Sequence, residues 1–169
     1  RIKHLPAAVL SGDTGNVEGI AARMYFSELF GSDFLRIHTN PGINSFLNYG
    51  YAILRGAVAR LIVGAGLNPS YGIQHHNQLN PMCLVDDLME PYRPIVDALV
   101  YEMFNGNDNY FRNLDPDAKR TLAGILDTDI KTRSGYSPLI TIMQRDVWNF
   151  VNSLKDKKNK LDYENVIQN

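Results

Sequence analysis

One cysteine, Cys83, is all the thiol chemistry the 169-residue sequence offers. A lone cysteine excludes an internal disulfide, and the lack of any CxxC pair removes the usual signature of a zinc knuckle or redox motif. A reducing cytoplasm is the expected compartment. A charge excess is missing as well, since 17 Lys and Arg stand against 18 Asp and Glu, a formal net charge of −1. Such a chain exerts no overall pull on a polyanion, so any surface facing nucleic acid must be a local patch. Residues 1–80 carry six Lys/Arg against four Asp/Glu, and residues 81–169 carry eleven against fourteen, so the imbalance is small in either half. No run of 18 apolar residues could span a bilayer, and no charged-then-apolar segment opens the chain. The first residue is Arg1, which reads as a cut and predicts a piece of a longer protein. Strand-like alternation is scarce, and there is neither an internal repeat nor a Gly/Ser-rich linker.

What is present is helical periodicity. With 44% apolar residues, the chain is long enough to bury one good core. Leu47, Tyr51, Leu54, Val58 and Leu61 recur at three- and four-residue steps, the spacing of a helix with one buried face, and Gly64-Ala65-Gly66 ends it. A second stripe runs Leu84, Leu88, Ile95, Leu99, Met103 and closes at Asn105-Gly106. Shorter helices are predicted up to Leu10, over Val17 to Phe30, from Pro116 to about Leu126 and from Ser137 to Leu154. The sum is one all-α domain. The Lys-rich run 155–160 reads as a solvated tail.

Asp86, Glu90, Arg93 and Asp97 fall at i, i+4, i+7 and i+11, which predicts one polar line opposite the second stripe, with Asp87 beside it. Acids one turn apart repel unless a cation or Arg93 neutralises them. From this segment alone a solvated acidic face is the leading explanation of the pattern. Pro91 and Pro94 remove backbone donors to the carbonyls of Asp87 and Glu90. Either the helix kinks and leaves an oxygen-rich corner suited to Mg²⁺ or Mn²⁺, or the prolines end one short helix and begin another. His75 and His76 lie just before it, in a loop rich in Asn, Gln and Pro, and an imidazole is a good Mn²⁺ ligand. A zinc site from His75, His76 and Cys83 lacks a fourth ligand at a familiar spacing. Glu18 follows Asn16, a good helix cap, so the helix dipole alone accounts for an acid there.

Taken in order, N-V-E-G-I-A-A-R-M-Y-F at 16–26, L-N-Y-G-Y-A-I-L-R at 47–55, G-I-Q-H at 72–75 and D-L-M-E-P-Y-R-P at 87–94 resemble the C-terminal domain of the CRISPR adaptation integrase, CRISPR-associated protein one, most closely its type II form. The resemblance spans roughly residues 7–100. It implies that Glu18, His75 and Glu90 hold a catalytic Mg²⁺ or Mn²⁺, with His76 and Asp87 as neighbours of the site. It also implies an endonuclease and integrase acting on double-stranded and branched DNA, in which a 3′-hydroxyl attacks a phosphodiester to insert captured DNA into a CRISPR repeat. A homodimer built by an N-terminal β-domain and a partner, CRISPR-associated protein two, complete the expectation; nothing in this chain matches that β-domain. Arg36, Arg55 and Arg93 are candidate phosphate contacts, because guanidinium can grip phosphate with two parallel bonds. For Arg36 and Arg55 an ordinary surface charge is an equal reading. A nonspecific metal-dependent nuclease and a catalytically silent DNA-clamping subunit are the alternatives.

Overall fold

The computed structural model describes residues 17–105, 112–133 and 135–156. The helix expected up to Leu10 and most of the Lys-rich tail lie outside these residues. Within them the chain is helical: α1 (Val17–Phe30), α2 (Ile43–Gly64), α3 (Cys83–Met89), α4 (Arg93–Phe104), α5 (Pro116–Ala123) and α6 (Leu139–Lys155). Two short antiparallel strands, β1 (Asp129–Thr132) and β2 (Gly135–Pro138), are the only sheet among the described residues.

α2 is the central post, and α3, α4, α5 and α6 all pack on it. Its predicted stripe is buried as expected at Leu47, Tyr51, Leu54 and Val58, and Phe46 and Ile62 join it. It stops because Ala65 N–H turns back to Leu61 and Ile62 and Gly66 adopts φ 77, a left-handed conformation open to glycine. Gly50 is the point of closest approach to α4. A Cβ there would collide with Val96 Cγ1, so the absent side chain sets how near the two helices lie.

The second predicted helix is not continuous. A 3-10 turn, Glu90–Tyr92, separates α3 from α4, with Pro91 in its first positions and Pro94 in the first positions of α4. The prolines therefore end one helix and begin another, since a proline is tolerated in a first turn where its missing N–H is not needed. The carbonyl of Glu90 is not left free, because Arg93 N–H donates to it. The turn also shifts the helical phase. In α4 the buried residues are Val96, Asp97, Val100 and Phe104, one position on from the expected Ile95, Leu99 and Met103, which are only partly covered.

The last helix begins at Leu139 rather than Ser137 because Ser137 and Pro138 belong to β2, paired with Ile130 and Asp129. Helix α5 starts as predicted, with Asp115 Oδ1 accepting Ala118 N–H at 2.7 Å, and passes at Gly124 into a 3-10 turn. Among the described residues no helix is long and apolar enough to cross a membrane.

Candidate active site

The loop between α2 and α3 is built from side-chain amides that fold their own backbone. Asn68 Oδ1 accepts Ser70 N–H at 3.0 Å, Asn77 Oδ1 accepts Leu79 N–H at 2.9 Å, and Asn80 Oδ1 accepts Met82 N–H at 3.0 Å. The loop is anchored to α3 by Leu84 N–H donating to Pro69 O at 2.9 Å. Cys83, buried at the start of α3, directs its thiol to the carbonyls of Asn77 and Asn80. That arrangement gives the imagined zinc site no support.

The acids of α3 divide their work. Asp86 binds Arg55 of α2 through two bonds, Nε to Oδ1 at 2.6 Å and Nη2 to Oδ2 at 3.0 Å, and accepts Asn80 Nδ2 at 2.7 Å. Asp87 turns the other way, into the loop. Its Oδ2 accepts the N–H of Ile73 and of Gln74, the latter at 3.0 Å, while Oδ1 accepts His75 N–H at 3.2 Å and lies 2.5 Å from His75 Nδ1. Burial pushes the Asp87 carboxyl up, but the His75 ring and the loop N–H groups outweigh it and hold it below the usual carboxylate range. The same carboxylate, with a smaller contribution from Glu90, raises the His75 imidazole above its ordinary value. An ionised Asp87 can only accept, so the neutral form of the His75 ring carries its proton on Nδ1 and leaves the Nε2 lone pair on a ring about half exposed.

Glu90 opens the 3-10 turn after α3, half exposed and 3.6 Å from Arg93 Nη1. Glu18 stands exposed in the first turn of α1, and His76 is exposed on the His75 loop. Among the described residues, no group of three or more His, Cys, Asp or Glu side chains is gathered closely enough to hold a metal ion by itself. The donor set nevertheless fits a hard divalent cation: one imidazole with its outer nitrogen available and its inner one fixed by a carboxylate, and exposed carboxylates to supply oxygen.

The expected polar line does not survive at Asp97, which is buried rather than solvated. Its carboxylate accepts the hydroxyls of Tyr51 and, at 3.0 Å, of Tyr25, joining α1, α2 and α4. Burial pushes Asp97 above the ordinary carboxylate range against the pull of these bonds, and both tyrosines are raised in turn, first by burial and then by Asp97. Two guanidinium groups approach the Tyr51 ring, Arg93 at 4.7 Å and Arg36 at 5.5 Å from its centre. Arg36 is further held by Asn44 Oδ1 at 2.9 Å and Asn48 Oδ1 at 2.8 Å. This cluster is not legible in the sequence, because its one signal, an acid four residues after Arg93, is equally that of a surface pair. A cavity of about 570 Å³ opens beside Phe30, Phe34 and Asn44, on the α1–α2 connection, and its lining includes none of Glu18, His75 and Glu90.

A mainly helical domain bearing a carboxylate-held histidine and an exposed glutamate is the class these features define. The profile of the family described as CRISPR associated protein Cas1 matches residues 2–129. The CRISPR-associated endonuclease Cas1 of Neisseria meningitidis serogroup C (strain 8013) is 37% identical over 160 residues, covering 95% of this chain and 52% of the relative. That of Francisella tularensis subsp. novicida (strain U112) is 32% identical over 164 residues, covering 89% and 51%. Among solved structures, a casposase bound to integration product superimposes with a TM-score of 0.75 at 25% identity, covering 95% of this chain and 55% of that one. A CAS1 protein from Thermotoga maritima shares the fold, with a TM-score of 0.71 at 18% identity, covering 85% and 52%. The chain belongs to the Cas1 family, and it spans about half the length of the curated relatives it matches.

Proposed function

We propose that this chain is the catalytic domain of a metal-dependent DNA endonuclease and integrase of CRISPR spacer acquisition, with Glu18, His75 and Glu90 as the ligands of Mg²⁺ or Mn²⁺. The observation that carries the reading is the pairing of His75 Nδ1 with Asp87, which leaves Nε2 outward and the charge of Glu90 near the ring. A carboxylate behind an imidazole is the common way to fix a metal-binding tautomer. The bound cation would polarise the phosphodiester and offset charge on the transition state. The remaining groups belong to DNA. Arg93, whose ion pair with Glu90 at 3.6 Å is longer than the bonds of 2.6–3.0 Å that hold Arg36 and Arg55 to Asn44, Asn48 and Asp86, is the most loosely held of the three arginines and the best placed to meet a phosphate. Arg36 and Arg55 would have to exchange amide or carboxylate partners to do so.

DNA is the partner that the resemblance to a casposase bound to integration product supports. Homodimerisation and a second CRISPR-associated protein belong to the longer protein in this reading. Strand transfer of a DNA 3′-end into a branched repeat substrate by the full-length protein tests it. Activity should require Mg²⁺ or Mn²⁺ and a free 3′-hydroxyl, and Glu18→Gln, His75→Ala and Glu90→Gln should each abolish it. Activity retained without metal would overturn the proposal. A catalytically silent DNA-clamping subunit is the second reading, favoured by the absence of a ready three-ligand cluster among the described residues. It expects DNA binding with no strand transfer at any metal concentration.

A further inference from the structure

We infer that Gly72 and Asp87 form a clasp that positions His75, Gly72 by having no side chain and Asp87 by gripping the turn that follows it. The loop is exposed, so packing alone does not fix its shape. What fixes it is one carboxylate. Asp87, whose side chain is only 5% exposed, collects the N–H groups of Ile73, Gln74 and His75 together with the His75 ring nitrogen. Four donors on two oxygens fill most of the acceptor capacity of the group. They converge because the backbone curls tightly round it, and that curl passes through Gly72.

A Cβ on Gly72 would overlap the carbonyl oxygen of His75, reach to 2.7 Å from Cys83 Cβ and lie 3.0 Å from Asp87 Oδ2. The first obstacle is backbone and the second belongs to a buried residue at the base of α3, so neither can swing aside. Any side chain at 72 must push the 73–75 turn off Asp87. Asp87 is thus a positioning residue rather than a ligand. Both its oxygens face the loop, and its effect on chemistry runs through the tautomer and direction of the His75 ring.

The inference rests on the metal reading only for its consequence in activity, so the test reads the ring first. In the metal-free full-length protein, at a pH above the titration of His75, ¹⁵N resonances should show Nδ1 protonated and Nε2 unprotonated. Asp87→Asn keeps the shape but places an NH₂ donor among the donors of the clasp. With that NH₂ toward the ring, Nδ1 must become the acceptor and the proton moves to Nε2; with it toward Ile73 and Gln74, the turn is released. The first orientation should lose the Nε2 signature and the second should loosen the 73–75 turn, and either should reduce Mn²⁺ affinity about 10–100-fold, the usual effect of removing a partner behind a metal ligand. Gly72→Ala should reduce Mn²⁺ affinity in the same range and lower kcat with little change in the KM for DNA.

An unchanged His75 signature and unchanged Mn²⁺ affinity in Asp87→Asn would overturn the clasp, even if wild type proves metal-dependent. A lost signature in a protein that never binds Mn²⁺ at His75 would uphold the clasp and defeat the metal reading instead. Gly72→Ala with wild-type Mn²⁺ affinity would remove Gly72 from the proposal's support and overturn the claim that the curl requires glycine.

Discussion

Tyr25 of α1 donates its hydroxyl to Asp97 of α4 at 3.0 Å, across 72 residues of sequence. Tyr51 of α2 donates to the same carboxylate, so one buried acid ties three helices together. Replacing it with alanine leaves two hydroxyls without their acceptor and removes an acidic group that Arg36 and Arg93 both act on. Asp97→Ala should cost about 2–4 kcal/mol. Asp97→Asn, which keeps an acceptor for one hydroxyl, should cost less, and urea unfolding of the two variants measures the difference.

The same residue sets a pH dependence. Burial raises the native pKa of Asp97 above its unfolded value, so folding takes up a proton in the window between the two. There the native state binds more protons, and stability falls as pH rises. The margin of wild type over Asp97→Asn should therefore widen as pH is lowered through the native pKa of Asp97 and level off below the unfolded one. A margin that narrows on acidification would show the carboxylate to be held ionised by the arginines. Asp86, held below its ordinary range by Arg55 and Asn80 despite burial, contributes in the opposite sense, its share being lost as pH falls through its native pKa.

Glu90→Gln and Glu90→Ala should abolish strand transfer and cleavage while changing stability by no more than ~1 kcal/mol, because Glu90 is half exposed and fills no core space. DNA binding should persist. Near-normal metal-dependent activity of Glu90→Gln in the full-length protein would mean the ligand acid lies elsewhere.

Arg93→Ala should weaken DNA binding and reduce the slope of log K against log salt by about 1, the signature of one phosphate contact. Arg36→Ala should act first on stability, since its guanidinium holds Asn44 and Asn48 and packs on Tyr51. Comparing binding isotherms at several salt concentrations with thermal melts separates the two effects.

Gly50→Ala should destabilise by about 1–3 kcal/mol, as overpacking at a close helix contact does. The new methyl would meet Val96 Cγ1. Adding Val96→Ala should recover part of the loss, and a purely additive double mutant would place the strain elsewhere.

Much of this protein is written locally. The run Leu47, Tyr51, Leu54, Val58 fixes a helix and its buried face by spacing alone, because 3.6 residues per turn is a property of the backbone. Asp115 before Pro116 marks a helix start for the same kind of reason, and the ordered segments at 16–26, 47–55, 72–75 and 87–94 suffice to indicate the family. What depends on distant partners was not legible. The two prolines permit either a kink or a break, and only the packing of Tyr92 on α6, where its hydroxyl meets Asp146, goes with the break that rotates α4 by one position. That rotation took Asp97 from the expected solvent line into the core. Asp86 and Asp87 are adjacent and chemically identical in sequence. Their side chains leave the helix about 100° apart, so α2 with Arg55 claims one and the loop with His75 claims the other, a division that exists only once three segments have met in space.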